Sequence, residues 1–237
     1  MQAHLSLVAP NATALGALGG DYGVTWPQRI VVDMGATKSG NTWVPDVRTI
    51  TAEYSRQARV LGHQTDVTSA NLPAHVTQAN YQAMITGLNN LGDPGGAVNF
   101  YSLAAVVAHE SQHAVRCRQA LDDNRNRIEQ AIKAVTVPLA AAATEALAVT
   151  AIQALPGYAT AVQNAFTWWE ASFDNYIAND HAGHGPCETA ERRVVAPLVL
   201  QIQAIALSHR WGAPPVQVGL PVGSLGVAAA RLSGGWH

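Results

Sequence analysis

Residues 109–113 read His-Glu-Ser-Gln-His. On a helix the two histidines stand one turn apart and project from the same face. Two imidazoles so placed can grip a single zinc ion, and Glu110 beside them can reach a water on that ion. The pentapeptide lies within Tyr101–Val115, which has neither proline nor glycine and carries Leu103, Val106, Val107, Ala108, Ala114 and Val115. Such a stretch suits a buried helix, not a solvated loop. Burying two imidazoles and a carboxylate there costs on the order of several kcal/mol unless something compensates them. The plain alternative is a pair of core histidines bonded to backbone carbonyls, with Glu110 facing water; zinc answers the burial better.

His-Glu-Ser-Gln-His resembles the active-site helix of the zincin metallopeptidases. The resemblance covers five positions and their helical setting. It implies His109 and His113 as zinc ligands, Glu110 as general base, and hydrolysis of a peptide or protein substrate. Gln119 stands where metzincins carry a third histidine. The chain is therefore gluzincin-like rather than metzincin-like, with a glutamate or a distant histidine as third ligand.

A catalytic zinc takes three protein ligands and leaves one position open for water. Downstream candidates are Glu129, Glu145, Glu170, Asp174, His181, His184, Glu188 and Glu191. Pro186 is placed to open a helix running through Glu191, Val194, Val195, Leu198 and Ile202. On that helix Glu191 shares a face with Cys187, Val195 and Leu198, so its carboxylate points inward and ranks first. Glu188 falls in the first turn, where the helix dipole already favours a carboxylate, and ranks second. Glu145 interrupts an apolar run from Leu139 to Val149 and resembles the third-ligand position of gluzincins, with Ala148 as the small residue three positions on. Spacing counts against it: if the metal helix turns back near Asp122–Asn124, an antiparallel partner passes His113 well before position 145.

Cys117 continues the face of His109 and His113, and Cys187 lies one turn before Glu191. The two can be a disulfide, two buried thiols or unrelated. Three ligands from consecutive turns of one helix rarely converge, which disfavours a Cys117 thiolate on the metal. The loop Asn179-Asp-His-Ala-Gly-His-Gly-Pro precedes the Glu191 helix. In it, His181 or His184 could stabilise an oxyanion, with His181 taken as the catalytic choice, and Asp180 could orient a ligand imidazole. A capped surface loop is the competing interpretation. Trp168, Trp169, Phe173 and Tyr176 recur at helical spacing, as a core stripe does.

The elements that must carry these residues fit an α+β fold: a small N-terminal β-sheet on a mostly helical, zincin-like body. Residues 1–20 are Ala/Gly-rich and read as a loosely packed lead. Between Val24 and Leu61, Arg29-Ile-Val-Val-Asp reads as a strand, Lys38-Ser-Gly-Asn as a turn, and Val47–Val60 as one or two further strands. These could form the edge strand that zincins lay along a bound peptide, or an ordinary covering sheet. Helices are expected over Val76–Leu91, through the metal motif, and over Asn126–Val135, Pro138–Leu155, Tyr158–Ala178 and Pro186–Arg210. The domain thus spans 21–210, and 211–237 reads as a Gly/Pro-rich tail that could meet a protein partner.

Composition bounds the rest. The chain has 237 residues, 48% of them hydrophobic and 13% charged, enough for a sizeable core. Net charge is −2 without a basic run, which argues against a nucleic-acid surface. Arg116, Arg118, Arg125 and Arg127 interleave with Asp122, Asp123 and Glu129, as on a solvated helical face. No apolar run approaches the roughly 20 residues of a membrane span, and residues 1–20 lack the charge pattern of a secretory signal. The expectation is cytoplasmic residence or release by a specialised route. Besides the peptidase, two other functions fit: a zincin-like metal-binding scaffold or assembly subunit without hydrolysis, and an effector protease with a single target.

Overall fold

The computed structural model describes residues 1–9, 21–91, 99–181 and 185–212. Its fold is α+β, a small mixed sheet against a largely helical body. Strands β1 (Gln2–Leu7), β2 (Gly23–Ser39) and β3 (Thr42–Ala58) line up in the order β1-β3-β2. β1 runs parallel to β3, and β2 antiparallel to it through a tight turn at Gly40, whose φ of 57° is left-handed. The lead expected over residues 1–20 therefore contains a strand, Gln2–Leu7, with Ala3 buried opposite Ile50. Residues 10–20 lie outside the described residues.

Two bulges set which side chains face the helices. Arg48 is the extra residue on β3, so its buried positions change from Trp43 and Val47 to Ile50 and Ala52. Gln28 is the extra residue on β2, next to Pro27, which has no N–H to give a ladder. That second bulge moves the inward face of β2 from Ile30 to Thr25, and Thr25 is then buried against the metal-motif helix.

Two-residue strands β4 (Thr65–Asp66) and β5 (Phe100–Tyr101) pair in parallel. The expected helix over Val76–Leu91 is two pieces, α1 (Leu72–His75) and α2 (Tyr81–Asn89). Between them the Asn80 side chain accepts from the Thr77 amide and donates to the His75 carbonyl, a side-chain turn that competes with helix. The Gly92-Asp-Pro-Gly-Gly stop expected after it lies outside the described residues.

The metal-motif helix, α3 (Leu103–Lys133), runs 31 residues without the break expected at Asp122–Asn124. Each polar residue there is satisfied in place. Asp122 accepts from Arg118 one turn back, Asp123 accepts from the Tyr176 hydroxyl, and Asn124 donates to the Ala120 carbonyl and Ser172. Ala120, Leu121, Ile128 and Ile132 keep the helical apolar period across that stretch.

The helix expected over Pro138–Leu155 is likewise divided. Val137–Pro138 forms a short strand, β6, on β3; Leu139–Ala141 makes a 3₁₀ turn; α4 (Glu145–Gln153) begins only after Thr144 caps it, accepting from the Leu147 amide. Helices α5 (Pro156–Asp180) and α6 (Pro186–Ser208) follow as expected, each opened by proline. Trp211 packs on Tyr81 and His209, and residues 213–237 lie outside the described residues.

Two apolar cores result. One joins the sheet, α4, α5 and the C-terminal half of α3, from Cys117 to Ile132. The other joins α1, α2, α6 and the start of α3 at Ala105 and Val106. Residues 109–113 lie on α3 between the two.

Candidate metal centre

His109 and His113 stand one turn apart on α3, as their spacing requires, with ring centroids 4.8 Å apart and edge-on. The third imidazole is that of His181, at the C-terminal cap of α5, which runs antiparallel to α3. Its Nε2 is 3.1 Å from Nε2 of His113, and its ring centroid is 5.3 Å from each of the other two. Among the described residues, these three are the one set of His, Cys, Asp or Glu whose ligand atoms all lie within 4.8 Å of one another.

The backs of the α3 imidazoles are held. Nδ1 of His109 is 3.2 Å from Oε2 of Glu191, and Nδ1 of His113 is 3.1 Å from Oε2 of Glu110. An ionised carboxylate only accepts, so each ring offers Nδ1–H to its carboxylate, and it is Nε2 that is turned away from the carboxylate. Glu191 comes from α6, is 6% exposed, and also accepts from the Tyr101 hydroxyl. Burial, reinforced by Glu191, pushes the Tyr101 phenol far above its usual range, so it remains a donor.

Glu110 is 3% exposed. Its Oε2 also accepts from the Thr25 hydroxyl at 2.7 Å, while Oε1 lies against Gly23 at the start of β2. A Cβ at position 23 would stand 2.6 Å from Oε1, so only glycine leaves room for this carboxylate.

The donor set fits zinc. Zn–N bonds of about 2.0–2.1 Å at tetrahedral angles separate nitrogens by about 3.4 Å, and the His113–His181 separation of 3.1 Å is close to that. Burial, with His113 and His109 beside it, lowers His181 to about 4, which keeps that ring neutral and able to coordinate. For His109, burial works against the charged form, but Glu191, Glu110 and Asp180 outweigh it and raise its pKa.

The structure brings together His109, Glu110, His113, His181 and Glu191 from the sequence-derived set, in different relations from those expected. His181, expected to serve catalysis, supplies the third converging nitrogen. Glu191, expected to be the third ligand, meets His109 from behind. Glu188 pairs with Arg192 on its own helix, and Glu145, in the first turn of α4, pairs with Arg48 at the surface. Asp180 holds Arg116 rather than an imidazole. Arg116 is thus no part of a solvated face. His184 lies outside the described residues.

Cys117 and Cys187 are free, buried thiols; burial pushes Cys187 up to about 12 and Cys117 higher still. Trp169 is core, its indole N–H donating to the Cys117 carbonyl. Thr25, Tyr101 and Arg116 had no local signal in the sequence, because each acts across 64 or more residues.

Against protein-family models, curated proteins and solved structures, the chain finds no match. No helix of the described residues is long and apolar enough to cross a membrane.

Proposed function

We propose that this chain is a zinc-dependent peptidase whose metal is held by His109, His113 and His181. The observation that carries the proposal is the convergence of three imidazoles, two of them with their outer nitrogens fixed by carboxylates. Carboxylate-backed histidines are the usual support of zinc ligands. Zinc bound there would supply a Lewis acid and a water of lowered pKa.

The residues around it divide the remaining work. Glu191 and Tyr101 fix the His109 ring. Thr25 and His113 occupy Oε2 of Glu110, so a general-base role for this residue falls to Oε1, the oxygen packed beside Gly23. Glu191 thereby becomes a support for a ligand instead of a ligand. Peptide hydrolysis as the reaction comes from the likeness of His-Glu-Ser-Gln-His to zincins.

One observation favours a second reading, a metal-binding scaffold without hydrolysis: the Glu110 carboxylate is buried and already doubly bonded through Oε2. One experiment separates them. Purified chain is assayed for zinc by elemental analysis and for cleavage of casein and a mixed peptide library, beside Glu110→Gln and His181→Ala. The peptidase requires about one zinc per chain in the parent, retained in Glu110→Gln with cleavage abolished and lost or weakened in His181→Ala. Zinc without cleavage in the parent supports the scaffold; no zinc after reconstitution removes both readings.

A further inference from the structure

His113 and His109 come from one helix and need no help to be neighbours. His181 comes from another helix 68 residues later, and something must hold the end of α5 against α3. The residue immediately before it, Asp180, is 4% exposed and receives both Nε and Nη2 of Arg116, each at 2.6 Å. Arg116 lies three positions after His113 on α3, so the fork reaches out one turn below the two histidines. Its remaining nitrogen, Nη1, donates to Gln119 at 2.6 Å, and its guanidinium lies 5.3 Å over the Tyr176 ring. All three guanidinium nitrogens thereby have a partner.

The chain leaving the site is held at the same point. Gly185, just before α6, packs on the Asp180 carbonyl so closely that a Cβ there would stand 1.8 Å from the oxygen. Asp180 is thus bonded by its side chain to α3 and closely packed by its backbone against the start of α6.

We propose that the Arg116–Asp180 pair is the positioning device of this centre: it converts a two-histidine site into a three-ligand one by fixing His181, while neither residue meets the metal. This rests on the zinc reading above. A two-point ion pair on a buried carboxylate has the geometric precision that a lysine, as a point charge, lacks.

The test is zinc affinity of the full chain by competition with a chromogenic chelator, with visible spectra of the cobalt form. The variants are Arg116→Ala, Arg116→Lys, Asp180→Asn, His181→Ala and the double variant Arg116→Ala/His181→Ala. Arg116→Ala and Asp180→Asn are expected to weaken zinc about 10- to 100-fold, with Arg116→Lys between them and the parent. The double variant is expected to bind no more weakly than His181→Ala alone, and the cobalt spectrum of Arg116→Ala to match that of His181→Ala. A purely structural role lowers the melting temperature without this non-additivity or spectral change. Asp180→Asn carries the same comparison if Arg116→Ala does not fold. Affinity within twofold of the parent in Asp180→Asn and Arg116→Lys, or losses that add in the double variant, overturns the positioning role and leaves the zinc reading standing. A parent that takes no zinc, or a His181→Ala variant that binds as tightly as the parent, overturns both.

Discussion

Glu191 and Glu145 show how little a carboxylate's residue type says without its surroundings. Glu145 interrupts an apolar run, and Glu191 lies on the apolar face of its helix. Glu191 is buried between the Tyr101 hydroxyl and the His109 ring, whereas Glu145 sits in an exposed first turn, 3.0 Å from Arg48. Removing the charge therefore has opposite expected consequences. Glu191→Gln weakens zinc binding about 10- to 100-fold, since it loses the acceptor that fixes the His109 tautomer. Glu145→Ala leaves zinc affinity unchanged and, as an exposed pair, costs at most about 1 kcal/mol of stability. Chelator competition and urea denaturation of the two variants read both effects. Glu191 was legible in the sequence as an inward-facing residue of a proline-opened helix. Its partner was not, because which atom a buried carboxylate meets depends on a helix 82 residues away.

At the scale of elements, the length of α3 decided how much of the site could be read. His109, Glu110 and His113 are local: one helical turn contains them, and the sequence places them on one face. The third proposed ligand depends on where the returning helix crosses them. A break at Asp122 brings that crossing early in the chain. An unbroken α3, with β6 and α4 intervening before α5, delays it to His181. The Asp-Asp-Asn run looked like a stop because such residues favour turns, yet Arg118, Tyr176 and Ser172 satisfy all three within the helix. The α3–α5 packing that follows rests on Trp169, fully buried and bonded to the Cys117 carbonyl at 2.9 Å. Trp169→Ala is expected to destabilise the fold by about 3–5 kcal/mol. Trp168→Ala, which loses a ring lying 3.7 Å from the Arg127 guanidinium, should cost about 1 kcal/mol. Denaturant midpoints of the two neighbours test whether the aromatic stripe is core on one side only.

For the molecule as a whole, the α+β class and the order of sheet before helices were legible, because β-branched alternation and helical periodicity are carried by separate stretches. The strand in residues 2–7 was not: six residues joining a sheet edge in parallel gain their stability from β3, not from their own pattern. Global stability should also carry the signature of the histidine cluster. In the metal-free protein His181 has a pKa near 4, against 6.5 when unfolded. Between those values the unfolded chain binds the proton and the folded chain does not, so the stability present above pH 6.5 is lost as pH falls toward 4. His109, raised, acts in the opposite sense; its contribution is present below pH 6.5 and fades as pH rises through its folded value. Melting temperatures in chelator should therefore fall less steeply from pH 7 to 4.5 for His181→Gln than for the parent. Equal slopes would remove His181 from the acid response.

α3 enters one apolar core at Ala105 and leaves the other at Ile132, with the histidines in between. A rod about 46 Å long shared by two cores makes the polar stretch a common tenant of both. The three imidazoles of the proposed site come from α3 and α5, and Glu191 of α6 backs one of them, so a ligand bound there would resist separation of α5 from α3 directly and disturbance of the second core only through α6. Occupancy of a few side chains would thus brace one core at its ligands and the other at a single supporting carboxylate.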